Sequence, residues 1–430
     1  GAEIDLAQFR LWYSQAGTPK VTARLSHAED VATLTLIQEV PATPGQPNKQ
    51  PMVIPLRLAL FDPETGRHDG EKLVVLDRAE MEFAFPGFAA RPVLSLNRGF
   101  SAPVSIKADT SRDDLVFLAA NDDDPFARYE ALQQLAVQHL LAEVAGQTDT
   151  AGRDAIAAAF SRIIEDAALD DLMRGELMIL PGEAYIAEQI DAADPVAIRA
   201  AREALKAHLG AQLRDSLLAL HARASAVPYD LSAAARGARK VKTQALVLLA
   251  AGVPELAAEL AAAQFDAADN MTDRQGALMV LCGLETPLRE DRLAAFHARY
   301  AGNALVIDKW FSLQAGSLHP AVLDHVRALA AHPDFTLTNP NRVRALYMAL
   351  AANLGAFHAA DGRGYRMIAE LILALDPLNP QTAARFVAPL GRWRRIEPAR
   401  AELMRAELER ILAAPNLSKD TYEQVSKSLG

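Results

Sequence analysis

Cysteine is almost missing from this sequence: 430 residues include a single one, Cys282. One thiol cannot close an internal disulfide, so the fold has to be held by packing alone. Cys282 directly follows the apolar run Ala277-Leu278-Met279-Val280-Leu281, which marks it as a small buried hydrophobe rather than a nucleophile. Long hydrophobic runs are missing too. No uninterrupted apolar stretch approaches the ~20 residues that a membrane-spanning helix needs, so no membrane association is expected. Positive charge is in deficit, with 44 Lys and Arg against 54 Asp and Glu, a formal net charge of -10. Nucleic-acid binders display the opposite balance, because basic surfaces release counterions from phosphates; no nucleic-acid partner is expected. The opening Gly1-Ala2-Glu3-Ile4-Asp5 has neither the basic start nor the apolar core of a signal peptide. There is no initiator methionine, and the sequence reads as a piece of something larger.

Catalytic signatures are missing as well. None of the ten histidines is followed by glutamate, so an HExxH zinc motif is impossible. No two histidines are four apart, which removes the usual ligand pair on one helical face. Neither a GxSxG elbow nor a GxxxxGK[ST] phosphate loop occurs. The expectation is no catalytic residue, no metal site and no cofactor in this stretch, which alone would be inactive. Two weaker features have plain readings. Asp361-Gly362-Arg363-Gly364-Tyr365 follows an apparent helix and reads as a tight turn. Arg392, Trp393, Arg394 and Arg395 read as a solvated helix end.

What is present is a large apolar inventory: half the residues are hydrophobic and 23% are charged. A chain this long exceeds one core at ~100–200 residues per domain. Period-two alternation runs through Val21, Ala23 and Leu25, then Ala32, Leu34 and Leu36, then Ile54 to Leu60. It returns at Met81, Phe83 and Phe85 and at Val104 and Ile106. Turn residues separate the runs at Pro41–Gly45, Asp62–Gly66 and Phe85–Gly87. From about residue 110 the periodicity becomes helical, in blocks such as 127–145, 197–222, 233–251, 253–268, 340–352, 364–375 and 398–414. Asn339-Pro340 and Asn379-Pro380 each place a capping residue before a proline at the first helical position. The expected architecture is multidomain: a small antiparallel, Ig-like β-sandwich over residues 1–108, then a large all-α superhelical domain, HEAT- or armadillo-like, over 109–430.

Several runs, in order, carry a family resemblance. They include Gln8 through Pro19, Pro41 through Gln46, Asn270-Met271-Thr272-Asp273, Asp308-Lys309-Trp310-Phe311, Thr338 through Arg344, Phe357 through Tyr365, and Asn379-Pro380-Gln381. Together they resemble the C-terminal half of bacterial aminopeptidase N, zinc enzymes that remove single residues from peptide N-termini. The resemblance implies that zinc and the catalytic residues lie in an N-terminal half, outside this sequence. It also implies that this stretch partners its own N-terminal and catalytic domains, caps their active-site cavity, contacts peptide substrate and works in the cytoplasm. By position, Gln381 matches a residue lining the pocket for the substrate's first side chain, and Arg344 and Arg385 match arginines facing the same cavity. The spacing permits this, since Gln381 and Arg385 are four apart on one helical face. Arg344 lies off the stripe formed by Val343, Leu346, Tyr347 and Leu350. An arginine fork suits a carboxylate or a peptide carbonyl. The competing reading is a free-standing α-solenoid scaffold that binds protein partners.

Overall fold

Alternating side chains on seven short strands build two facing sheets, seen in a computed structural model that describes residues 6–430. The opening pentapeptide, with its signal-peptide reading, lies outside the described residues. After a helical turn, α1 (Leu11–Ser14), come β1 (Lys20–Ala28), β2 (Val31–Glu39), β3 (Ile54–Phe61), β4 (Lys72–Leu76), β5 (Glu80–Pro86), β6 (Val93–Leu96) and β7 (Ser105–Ala108). One sheet has the order β5-β2-β1-β7 and the other β4-β3-β6. Val21, Ala23, Leu34 and Leu36 from the first meet Ile54, Leu56, Leu58 and Leu60 from the second in one dry core. That is the packing of a β-sandwich, with inward apolar residues alternating with outward polar ones. One pair departs from the antiparallel expectation: β7 runs parallel to β1, with Lys20 opposite Ser105. The chain reaches β7 from β6 in the other sheet, and a strand entering a sheet from outside it is free of the hairpin constraint.

Gln38 ties the sandwich together from within. Its side-chain amide donates to the carbonyls of Met52 and Arg78, each at 2.9 Å, and its oxygen accepts from the Met52 N–H at 2.7 Å. The helices begin at α2 (Arg112–Asn121), whose Ser111 and Asp114 form a reciprocal capping box. The first compact unit takes in residues up to 136 together with 154–163. Within it, Phe117 of α2 packs edge-on against Phe61, and Asp114 pairs with Arg91 at 3.0 Å.

The second unit holds 137–153 and everything from 164 onward, and is built of helices and their connections. Two helices, α3 (Pro125–Val144) and α4 (Thr150–Glu165), are divided between the units, and the second unit goes on with α5 (Asp171–Leu177), α6 (Glu183–Glu188), α7 (Pro195–Gln212), α8 (Arg214–Ser225), α9 (Ala233–Gly252) and α10 (Pro254–Ala267). Then come α11 (Met271–Cys282), α12 (Pro287–Tyr300), α13 (Ala304–Ala315) and α14 (Val322–Ala330). Next is one helix in three parts: α15 (Pro340–Val343), a π-helical stretch Arg344–Met348 and α16 (Ala349–Ala352). The last are α17 (Leu354–Phe357), α18 (Arg363–Leu375), α19 (Pro380–Arg385), α20 (Val387–Gly391), a 3₁₀ turn Trp393–Arg395, α21 (Pro398–Leu412) and α22 (Lys419–Leu429). Near neighbours in sequence pack on one another: α7 and α8 on α9, α9 on α10 and α11, α11 and α12 on α13, and α18, α20 and α22 on α21. The block expected at 197–222 is two helices, because Leu213 leaves helical geometry at φ -100°, ψ 17°. Phe296, Phe311, Phe357, Tyr365 and Phe386 are fully buried in a core that continues from α10 to α22.

Candidate functional site

Asn379 starts α19 by accepting the Thr382 N–H at 3.0 Å, and Pro380 occupies the first helical position. That start fixes the phase of the helix, so Gln381 and Arg385 project one turn apart, both exposed. Arg385 lines a cavity of about 450 Å³ together with Arg392, Arg395, Glu188, His358 and Phe357. The 3₁₀ turn that carries Arg395 is held by a backbone bridge. Ala193 N–H donates to the Arg395 carbonyl and Glu397 N–H to the Ala193 carbonyl, each at 2.9 Å. Three guanidinium groups against one carboxylate make the mouth of this cavity cationic, and it suits a carboxylate or a row of peptide carbonyls.

Arg344 opens the π-helical stretch and is exposed, while Val343, Leu346 and Leu350 are buried as the stripe requires. Its guanidinium donates to Asn341. Met348, one turn on, lines the cavity with Arg385. Arg344 and Gln381 themselves are outside that lining. Single π turns inside α-helices recur at functional positions because they re-aim side chains. The basic run divides in two: Arg392 and Arg395 turn to the cavity, whereas Arg394 stacks on Trp393 at 4.3 Å and donates to the Ser428 and Leu429 carbonyls. Arg394 thus closes the end of α22, while Arg392, the C-cap of α20, and Arg395 are exposed as a solvated end requires and also line the cavity.

His358 forms the inner wall. Its Nδ1 lies 2.7 Å from the Tyr365 hydroxyl, and Arg400 Nε donates to its carbonyl at 2.8 Å. Burial first, and the Arg400 charge second, push the imidazole down to about 4, so it stays neutral near pH 7. Gly362, at φ 70°, makes the tight turn that leads into α18.

Three other features bear on chemistry. Cys282 is buried and its thiol is pushed up to about 12 by desolvation, which leaves it inert. A larger, mostly apolar cavity of about 610 Å³ lies among Leu180, Val247, Leu248, Met279, Leu313 and Leu318, with Lys206 at its wall. The third is a cluster that sequence spacing hid: His297, His332 and Asp334 place one ligand atom each within 4.8 Å of the others. Two helices, α13 and α14, separate His297 from His332 along the chain, so no local pattern announces the pair.

The fold is a β-sandwich followed by an array of helices, with arginines lining a cavity among the helices. Residues 112–430 match the family described as a domain of unknown function (DUF3458_C) with ARM repeats, to which the chain belongs. Residues 17–109 match its companion, a domain of unknown function (DUF3458) with an Ig-like fold. Aminopeptidase N of Escherichia coli (strain K12) is 37% identical over 441 residues, which cover 100% of this chain and 51% of that protein. Aminopeptidase N of Caulobacter vibrioides is 40% identical over 431 residues, 99% of this chain and 50% of that protein. The crystal structure of Legionella pneumophila aminopeptidase A in complex with aspartic acid matches with a TM-score of 0.82 and 27% identity, over 99% of this chain and 50% of that one. The chain spans about half the length of these relatives, and its likeness to aminopeptidase N runs from end to end. Among the described residues, no helix is long and apolar enough to cross a membrane.

Proposed function

We propose that this chain is the non-catalytic, substrate-contacting half of a cytoplasmic zinc aminopeptidase. The observation that carries the reading is end-to-end likeness to about half of aminopeptidase N in a chain that contains no HExxH. In this reading the sandwich of residues 1–108 and the helical domain of 109–430 pack against catalytic domains that precede them in the parent protein. Arg385, with Arg344, holds the far end of a short peptide through its carboxylate or carbonyls, and Gln381 lines the pocket for the first side chain. The cationic mouth formed with Arg392 and Arg395 supports that role.

The histidines present do not fit the parent's catalytic zinc. His297 and His332 come from separate segments, with no glutamate placed as base between them. No catalytic step is therefore assigned to this chain, and its contribution is to bind and orient. The scaffold reading draws on the ARM repeats alone and has no support from the arginine-lined cavity. The purified chain, assayed with aminoacyl amides, is expected to show no turnover. Turnover that co-purifies with the chain and persists after contaminating peptidases are removed would refute the non-catalytic assignment.

A further inference from the structure

We propose that His297, His332 and Asp334 form a binding site for a divalent first-row transition ion of the zinc class. The site shares no residue with the arginine-lined cavity and does not depend on the function proposed above. His297 sits in the last turn of α12, and His332 and Asp334 in the connection that follows α14. His297 Nε2 lies 2.6 Å from an Asp334 carboxylate oxygen, and His332 Nδ1 lies 3.8 Å from the same oxygen. A tetrahedral ion with ~2.0–2.1 Å bonds to nitrogen and oxygen spaces its ligands roughly 3.3 Å apart. The two spacings to the carboxylate oxygen bracket that value, all three ligand atoms lie within 4.8 Å of one another, and side-chain rotation would have to close the remaining gap. The ion then takes the place of the proton that His297 and Asp334 now share.

The surroundings favour a fixed site over a chance ion pair. Trp310 is buried, and its Nε1 is fixed on the Leu293 carbonyl at 3.0 Å. Its ring lies 4.8 Å from that of His297 and 5.2 Å from that of His332, so both imidazoles rest on one rigid wall. Phe311 adds an edge contact to His332 at 5.9 Å. A tight turn holds the other two ligands, with Phe335 N–H donating to the His332 carbonyl at 2.8 Å. Asp334 N–H also donates to His332 Nδ1 at 3.1 Å, and the ion claims that lone pair instead. One nearby charge opposes a cation: Arg342 donates to the Asp334 carbonyl. Its guanidinium is itself paired with Asp308 at 2.5 Å and lies over the Phe311 ring, which compensates it locally. Two imidazoles and one carboxylate select zinc, cobalt, nickel or copper over magnesium or calcium, which prefer all-oxygen shells. The spacing rule that predicts no metal ligands considers only pairs on one helix, and here the fold assembles the pair.

Zn²⁺ titrated calorimetrically into the chelator-stripped 430-residue chain tests this. A single tight equivalent is expected, weakened at least about tenfold in His332→Gln and, separately, in Asp334→Asn. Ni²⁺ provides a second readout: it should quench the fluorescence of Trp310, and His332→Gln should remove that quenching. Asp334 is exposed and His332 half-buried, and an unchanged melting temperature without metal confirms that each variant is folded. His319→Gln, at the neighbouring His319–His325 ring pair, is expected to leave affinity unchanged. No binding by the unaltered chain overturns the proposal. So does affinity that survives both His332→Gln and Asp334→Asn, or that falls with His319→Gln in their place.

Discussion

At His358 the protein keeps an imidazole dry and neutral, and acid should expose the consequence. The folded state holds the group at about 4, below its ordinary 6.5, so between those values the unfolded chain binds the extra proton. Stability from this residue is present above pH 6.5 and drains away as pH falls toward 4, by at most about 3 kcal/mol. Urea unfolding of the chain at several pH values should show that slope, and His358→Gln should flatten it. An identical slope in the variant would place the acid sensitivity elsewhere. Gln38 makes a complementary case, a buried polar side chain that stabilises because every one of its bonds is made. Gln38→Leu strands the Met52 N–H and two carbonyls and should cost the sandwich roughly 2–3 kcal/mol in urea unfolding. A loss below about 0.5 kcal/mol would mean water replaces those bonds at no penalty.

Helices α7 and α9 approach so closely that two glycines face each other across the contact. A Cβ on Gly210 would overlap the Leu248 carbonyl, and one on Gly252 would overlap the Ala211 backbone nitrogen. In an isolated helix alanine is better than glycine by about 1 kcal/mol. Here Gly210→Ala should destabilise by roughly 1–3 kcal/mol, since backbone has to move apart. Gly302→Ala, where a methyl meets nothing within 4 Å, should stay within about 0.5 kcal/mol of the parent. Matching melting temperatures for the two variants would show that the close approach is slack.

Elements were legible in the sequence where the period ran long. The alternation of Val31–Glu39 and the capped helix from Pro398 needed no tertiary information. β4 and β6 were not legible: Lys72–Leu76 barely alternates, and Val93–Leu96 is too short to show a period. The parallel pairing of β7 depends on the partner strand, and the π-helical turn after Val343 depends on packing, so neither has a local signal. The cavity around Arg385 was half legible. Asn379-Pro380 sets the phase of that arginine, but Glu188 and His358 reach it from α6 and the end of α17 only through the fold.

For the whole molecule, the proposed function is a division of labour, in which this chain would grip the peptide and catalytic residues elsewhere in the parent protein would cut it. Binding energy gained at the distal end of a substrate is available only to substrates long enough to reach it. In the full-length protein, Arg385→Ala should therefore act on peptides and spare small aminoacyl amides. Arg344→Ala should follow the same pattern more weakly, as Arg344 does not line the cavity that holds Arg385. The most direct measurement is steady-state kinetics of the full-length Arg385→Ala enzyme, with a tripeptide and an aminoacyl amide compared side by side. The account predicts a KM for the tripeptide raised roughly tenfold, about 1.4 kcal/mol, with kcat and both amide constants close to the parent's. Equal losses on both substrates would mean that Arg385 serves folding or domain packing, and would contradict the claim.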